Sequence, residues 1–160
     1  MGISSNNHGL IKNPELPKKY LKLSTTGGST GIPIKVFFDK RVPLEIFSWR
    51  VLNWWGLKPW QNQAYVFRNT HKGIHSFLNK LKWWPTSRIL LDASSMSTSD
   101  IQKFILAFNR IKPKLLQGYV GGIFEVAKYI SNNNVKLIPP KAIWVTSAPL
   151  TENQRLFIQN

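Results

Sequence analysis

A chain of 160 residues has room for one modest hydrophobic core. Its 42% hydrophobic and 18% charged residues exclude a disordered composition. The absence of cysteine excludes a disulfide framework, a thiolate nucleophile and a Cys-ligated metal site. Lys+Arg total 22 against 7 Asp+Glu, a net charge of +15, which suits nucleic acid or an anionic membrane surface. The basic residues are scattered, however, from Lys18 and Lys19 through Arg50 to Lys112 and Lys114, with no dense run. A Lys- and Asn-biased composition, or a piece whose acidic counterpart lies elsewhere, accounts for this better than a nucleic-acid footprint.

Met1 to Pro14 carry no apolar run ahead of a cleavage site. No stretch approaches the roughly 20 apolar residues of a membrane span, so a cytoplasmic location is the expectation. Residues 1–20 read as an irregular lead-in, broken by Asn6, Asn7, Gly9, Asn13, Pro14 and Pro17. A short strand is expected from Leu21 to Leu23.

The stretch Ser24-Thr25-Thr26-Gly27-Gly28-Ser29-Thr30-Gly31-Ile32-Pro33 follows, then an apolar strand from Ile34 to Phe38. Glycines let the backbone approach a ligand closely. Successive N–H groups in such a turn form a concave anion site, and the hydroxyls add donors. Composition alone leaves a polar hairpin turn and a phosphate loop equally open. No Lys-Ser or Lys-Thr follows the last glycine, so this is no Walker loop, and the G-x-G-x-x-G order of the dinucleotide fingerprint is absent.

Asp39 is a candidate N-cap with Pro43 in the first helical turn. Leu44, Phe47, Val51 and Trp54 recur at helical spacing, Gly56 is the expected stop, and the Trp54-Trp55 pair is expected in the core. Ala64 to Arg68 reads as a strand. His71 and His75 are four apart, but Gly73 between them and the lack of a nearby carboxylate argue against a metal site. Lys80 to Pro85 is basic and aromatic. Exposed aromatics there could stack bases, but a surface turn whose tryptophans pack inward is the expected arrangement.

Arg88 to Asp92 is a further strand. Ser97 and Asp100 are spaced as a capping box, and Ile101, Phe104, Ile105 and Phe108 trace one helix face that Pro113 closes. A helix is expected from Val120 to Ile130, with Ile123, Phe124 and Ala127 inward. A polar turn then covers Ser131 to Asn134, and a strand covers Ala142 to Val145. Thr151 and Gln154 form a second capping box, opening a helix with Leu156, Phe157 and Ile158. Strands alternate with helices, so the fold class is α/β.

The glycine-rich stretch resembles the phosphate loop of adenylate-forming enzymes, Thr-Ser-Gly-Ser/Thr-Thr-Gly-x-Pro. Thr26, Gly28, Ser29, Thr30, Gly31 and Pro33 match, while Gly27 stands where that pattern has Ser. Ile111-Lys112-Pro113-Lys114-Leu115-Leu116-Gln117-Gly118-Tyr119 resembles the Lys/Arg-Pro-x-x-Leu-x-Gly-Tyr segment of the phenylacetate–CoA ligase family, which includes the capsular-polysaccharide CapK-like proteins. Ala127-Lys128-Tyr129-Ile130, Thr146-Ser147-Ala148-Pro149-Leu150 and Gln154-Arg155 follow in the family's order, though the family's Glu is absent from the second of these. The resemblance covers residues 20–160.

What the resemblance implies is part of the large N-terminal domain of an adenylate-forming enzyme. On this reading residues 1–160 are a partial AMP-binding domain, short of the family at both ends. The family's chemistry is ATP-dependent activation of a carboxylate as an acyl-adenylate, followed by transfer to a thiol, commonly CoA. ATP, Mg²⁺ and CoA are thus the expected cofactors. Thr25, Thr26, Gly27, Gly28, Ser29, Thr30 and Gly31 would hold the β- and γ-phosphates of ATP or pyrophosphate, Lys35 would add charge, and Gly118 and Tyr119 would border the acyl or adenine pocket. The family's Tyr-Gly-x-x-Glu segment, ribose Asp and distal Lys cannot be located, so the catalytic residues are not assigned and the chain is expected to be inactive alone. A piece of a larger domain is also expected to expose apolar surface at Leu156 to Ile158 and along one sheet edge. The alternative reading is a basic nucleic-acid-binding module, which the scattered charge disfavours.

Overall fold

The computed structural model describes residues 10–11, 17–25, 35–42, 45–68 and 83–159. The chain divides into two units, Met1–Ser48 and Trp49–Asn160. Helix α1 (Glu45–Trp54) runs across that division.

In the first unit, β2 (Leu21–Thr25) and β3 (Lys35–Asp39) pair antiparallel, Leu21 opposite Asp39 and Thr25 opposite Lys35. Val36, Phe37 and Phe38 supply the branched and aromatic side chains that suit a pleated surface. A two-residue strand, β1 (Leu10–Ile11), adds parallel to the other side of β3, where the sequence suggests only an irregular lead-in. Asp39 is not a helix cap. It closes β3 and accepts hydrogen bonds from the backbone N–H and the guanidinium of Arg41. The side-chain bond, ahead of the backbone one, holds its carboxyl below the usual carboxylate range. The stabilisation is therefore present above that range and fades as pH falls through the lowered value. Pro43 and Leu44 lie outside the described residues.

The second unit holds a four-stranded, all-parallel sheet, β4 (Gln63–Phe67), β5 (Arg88–Asp92), β6 (Leu115–Tyr119) and β7 (Ala142–Thr146), in the order β5-β4-β6-β7. Alternation along the strands divides the sheet's faces. Ala64, Val66, Leu91 and Leu116 are buried against α2 (Thr98–Ile111) and α3 (Val120–Asn132), through Ile101, Phe104, Ile105, Phe108, Ile123 and Val126. On the opposite face Leu115, with Ala142 and Trp144, meets Leu52 and Leu57. The chain is α/β with helices flanking a parallel sheet, as the sequence leads one to expect.

Caps fix the helix limits. Ser97 Oγ accepts from Asp100 N–H at 3.2 Å and donates to the Asp100 carboxylate at 2.6 Å. Lys112 ends α2 in the left-handed region (φ 50), just before Pro113. Thr151 Oγ1 accepts from Gln154 N–H while Gln154 Oε1 accepts from Thr151 N–H, the reciprocal box that opens α4 (Glu152–Gln159). Helix α3 runs two residues past the expected Ile130. It buries Val126, where the sequence points to Phe124 and Ala127; those two are half-buried, Phe124 edge-on to Phe157 at 5.4 Å.

The tryptophans depart furthest from expectation. Trp54 is 70% exposed, Trp55 is exposed with its ring edge-on to Trp144, and α1 is anchored by Leu52 instead. Phe47 is exposed as well. Gly56 does close the helix, at φ 62. Leu156 and Phe157 are exposed while Ile158 packs on the core, and Leu90 on edge strand β5 is also exposed.

Gly118 and Gly121 make contrasting tests of the packing. A Cβ at Gly118 would lie 2.6 Å from the Val66 carbonyl oxygen, whereas one at Gly121 meets nothing within 4 Å. Gly118→Ala is expected to cost about 1–3 kcal/mol, and Gly121→Ala to gain up to about 1 kcal/mol from helix propensity. Urea midpoints of the two variants check both signs.

Candidate functional site

Thr25 and Lys35 face each other across the mouth of the β2–β3 hairpin, and both are exposed. The glycine-rich stretch is the connection between them. Thr26, Gly27, Gly28, Ser29, Thr30 and Gly31 lie outside the described residues, as do His71 and His75. The hairpin half of the expectation stands on the register: two extended strands enter and leave the stretch side by side.

Gly118 and Tyr119 sit in the second unit, at the carboxyl end of β6. Strand order places them. From β4 the chain steps outward to β5, then returns through α2 to β6 on the other side of β4. Connections diverge on either side of the β4–β6 seam. In open α/β sheets ligands settle outside the carboxyl ends of the strands at such a reversal.

The seam ends in Phe67 and Arg68 from β4 and Gly118 and Tyr119 from β6. The Phe67 and Tyr119 rings meet edge-on at 5.0 Å. Arg68 is exposed just beyond the strand. Tyr119 is the N-cap of α3, and its side chain makes no capping hydrogen bond. Beside them, Asp92 at the end of β5 accepts from Ser94 N–H and Oγ–H, and Ala93 N–H donates to the Phe67 carbonyl, tying the β4 and β5 ends together.

Past the end of β7, Ser147 holds a left-handed backbone (φ 76) in the Thr146-Ser147-Ala148-Pro149-Leu150 segment. Non-glycine residues in that region are strained, and such strain concentrates at functional positions. Arg68 does not stand out in the sequence, and Ser147 does so only as part of the segment that carries the family resemblance. Arg68 gains meaning from strand order, and the dihedral of Ser147 adds to its place in that segment.

Among the described residues no group of three or more His, Asp and Glu side chains is placed to hold a metal ion. No helix of the described residues is long and apolar enough to cross a membrane. A second concave region, about 960 Å³, opens beside β5 and α2 and is lined by Tyr65, Trp83, Arg88, Lys103 and Arg110 among others. Arg88 stacks on Trp83 at 3.3 Å, and its Nε is buried without a hydrogen-bond partner. Burial lowers the Arg88 pKa and raises that of Tyr65, whose hydroxyl donates to Gln63 Oε1. Trp83 therefore packs inward as expected, but Trp84 is 79% exposed.

No family model matches the chain. It is similar to the protein CapK of Staphylococcus aureus, 29% identical over 72 residues, which are 44% of this chain and 16% of CapK. The match thus spans less than a fifth of that relative's length, and it supports a CapK-like relationship.

Ser147→Gly is expected to raise stability by about 1 kcal/mol, since glycine carries no Cβ against the following carbonyl in the left-handed region. A thermal-denaturation midpoint no higher than that of the parent chain would show that the segment carries no such strain.

Proposed function

We propose that this chain is part of a CapK-like, carboxylate-activating ligase, and that its glycine-rich hairpin holds the phosphates of ATP or pyrophosphate. The observation that carries the reading is the register of β2 and β3. Thr25 pairs with Lys35, so the glycine- and hydroxyl-rich residues between them connect two paired strands, and successive backbone N–H groups in such a connection can form an anion site. The similarity to CapK supports the CapK-like part of the reading.

In such a ligase the attacking carboxylate displaces pyrophosphate from the α-phosphorus of ATP, and a thiol such as CoA then takes the acyl group. Negative charge develops on phosphoryl oxygens during the first step. Fixed N–H and hydroxyl donors stabilise that charge without reorganising. Thr25, Thr26, Ser29 and Thr30 supply hydroxyls, and Gly27, Gly28 and Gly31 allow close approach of the backbone. Lys35, exposed at the hairpin mouth, adds a positive charge to the same end. Gly118 and Tyr119 border the acyl or adenine part of the substrate at the carboxyl end of β6. The described residues offer no ligand set for the magnesium of this reaction, so no step is assigned to it. A role in polysaccharide biosynthesis is part of the same proposal.

Aligning the carboxylate with the phosphorus needs groups on both sides of the reacting centre. The chain alone is therefore expected to bind ATP or pyrophosphate weakly and to catalyse no pyrophosphate exchange with aryl or acyl acids. Calorimetric titration with pyrophosphate measures the first, with Gly28→Val expected to abolish the heat. No binding by the parent chain, or undiminished binding by Gly28→Val, overturns the assignment of the loop. Exchange above background that Gly28→Val removes would place a complete active site in this chain.

A further inference from the structure

Charge in the second unit is segregated along the strand direction. Its carboxylates are Asp92, Asp100, Glu125 and Glu152. Asp92 ends β5, Asp100 and Glu152 lie in the first turns of α2 and α4, and Glu125 lies in the first half of α3. All belong to the end of the sheet where strands finish and helices begin. Among the described residues the opposite end, where strands begin, is formed by 56–62, 83–87, 110–114 and 133–141, and these contain no Asp or Glu. They carry Lys58, Arg110, Lys112, Lys114, Lys136 and Lys141, every one exposed.

Hydrogen bonds fix these connections to one another. Asn62 is the hub: its Nδ2–H donates to the Ile111 carbonyl at 2.8 Å, its Oδ1 accepts from Ser87 N–H at 2.9 Å, and its backbone carbonyl accepts from Lys114 N–H at 2.8 Å. Lys141 N–H donates to the Lys114 carbonyl at 3.0 Å, and Thr86 Oγ1–H donates to the Trp60 carbonyl at 2.9 Å. Asn109 holds Lys136 and Ile138 through its two side-chain atoms. The cations are thus carried on one stitched rim. On the same rim Trp60 is 68% exposed, Trp84 79% and Ile138 39%.

We propose that this rim docks on an anionic lipid bilayer. Lysines are compact, strongly hydrated point charges that suit a diffuse array of lipid phosphates. Tryptophan rings belong at the headgroup level, where one edge is apolar and the other wet. Two exposed tryptophans on turn tips among lysines therefore match a flat anionic surface in both charge and polarity. Recognition of nucleic acid would draw on the forked geometry of arginine, yet five of the six rim cations are lysines beside Arg110, and Arg88 on this side of the sheet is turned onto Trp83. Docking by the rim leaves the carboxyl ends of β4 and β6 facing away from the bilayer.

Co-sedimentation of the full chain with vesicles tests this. Vesicles of phosphatidylcholine alone are compared with equal parts phosphatidylcholine and phosphatidylglycerol, at low and high salt. Binding to the anionic vesicles alone, weakened by salt, is expected. The pair Lys114→Glu/Lys136→Glu is expected to reduce partitioning by on the order of thirtyfold or more, while the control pair Lys103→Glu/Arg155→Glu, away from the rim, reduces it far less. Trp60→Ala/Trp84→Ala is expected to weaken binding while leaving its salt dependence in place. Since all these side chains are exposed, circular dichroism should report an unchanged fold. Absent binding, equal binding to neutral vesicles, or equal loss in both charge-reversal pairs overturns the proposal. Tighter binding to a single-stranded oligonucleotide than to anionic vesicles also overturns it and assigns the rim to nucleic acid.

Discussion

The close approach of β6 to β4 at Gly118 and Val66 is the contact on which the second unit depends. Val66 is fully buried, its carbonyl fills the place a side chain at Gly118 would occupy, and its Cγ1 lies 2.7 Å from where a Cβ at Gly122 would stand. One residue thus sets both the spacing of the central strands and the depth at which α3 settles on them. Interiors pack at crystal-like density, so a contact of this kind is not absorbed by relaxation elsewhere. Because α3 starts directly from β6, the same contact also places Tyr119 at the carboxyl end of the seam.

The two ends of the sheet differ in kind. At the carboxyl end the strands finish beside helix N-termini, with acidic residues in the first helical turns, an edge-on aromatic pair and a strained serine. At the amino end the described connections are tied through Asn62 and Asn109 and carry lysines and an arginine but no carboxylate. A parallel sheet makes such polarity natural, because every strand presents the same terminus to the same side. The proposed substrate end and the proposed bilayer-facing rim then lie a strand's length apart.

Local pattern is enough to read much of this from the chain. Ile101, Phe104, Ile105 and Phe108 announce the buried face of α2 because 3.6-residue spacing leaves little alternative. Ser97 and Thr151 mark helix starts because their hydroxyls meet backbone N–H groups three residues on. The aromatic residues of α1 mislead, since Phe47 and Trp54 share a helical period with Val51 yet stay exposed while Leu52 anchors the helix. Tryptophan is large and amphipathic, so its presence fixes a position in the core less firmly than leucine does. Strand order, and with it the significance of Arg68, depends on pairings between distant segments that no local window contains. For the glycine stretch the sequence gives a resemblance, and the register of β2 and β3 shows only that it connects two paired strands.

Asn62 also carries information about time. Its partners lie 25 and 49 positions further along the chain, and β4, which follows it directly, is flanked in the sheet by β5 and β6. During synthesis β2 and β3 can close on each other as soon as both emerge, whereas β4 must wait for β5 and then longer for β6. Contacts so remote in sequence slow folding, because chain entropy is lost before they can form. In the interval the edge of β4 that β6 later covers stands open, and the nascent chain is most exposed to wrong pairings before Leu115 and Leu116 arrive.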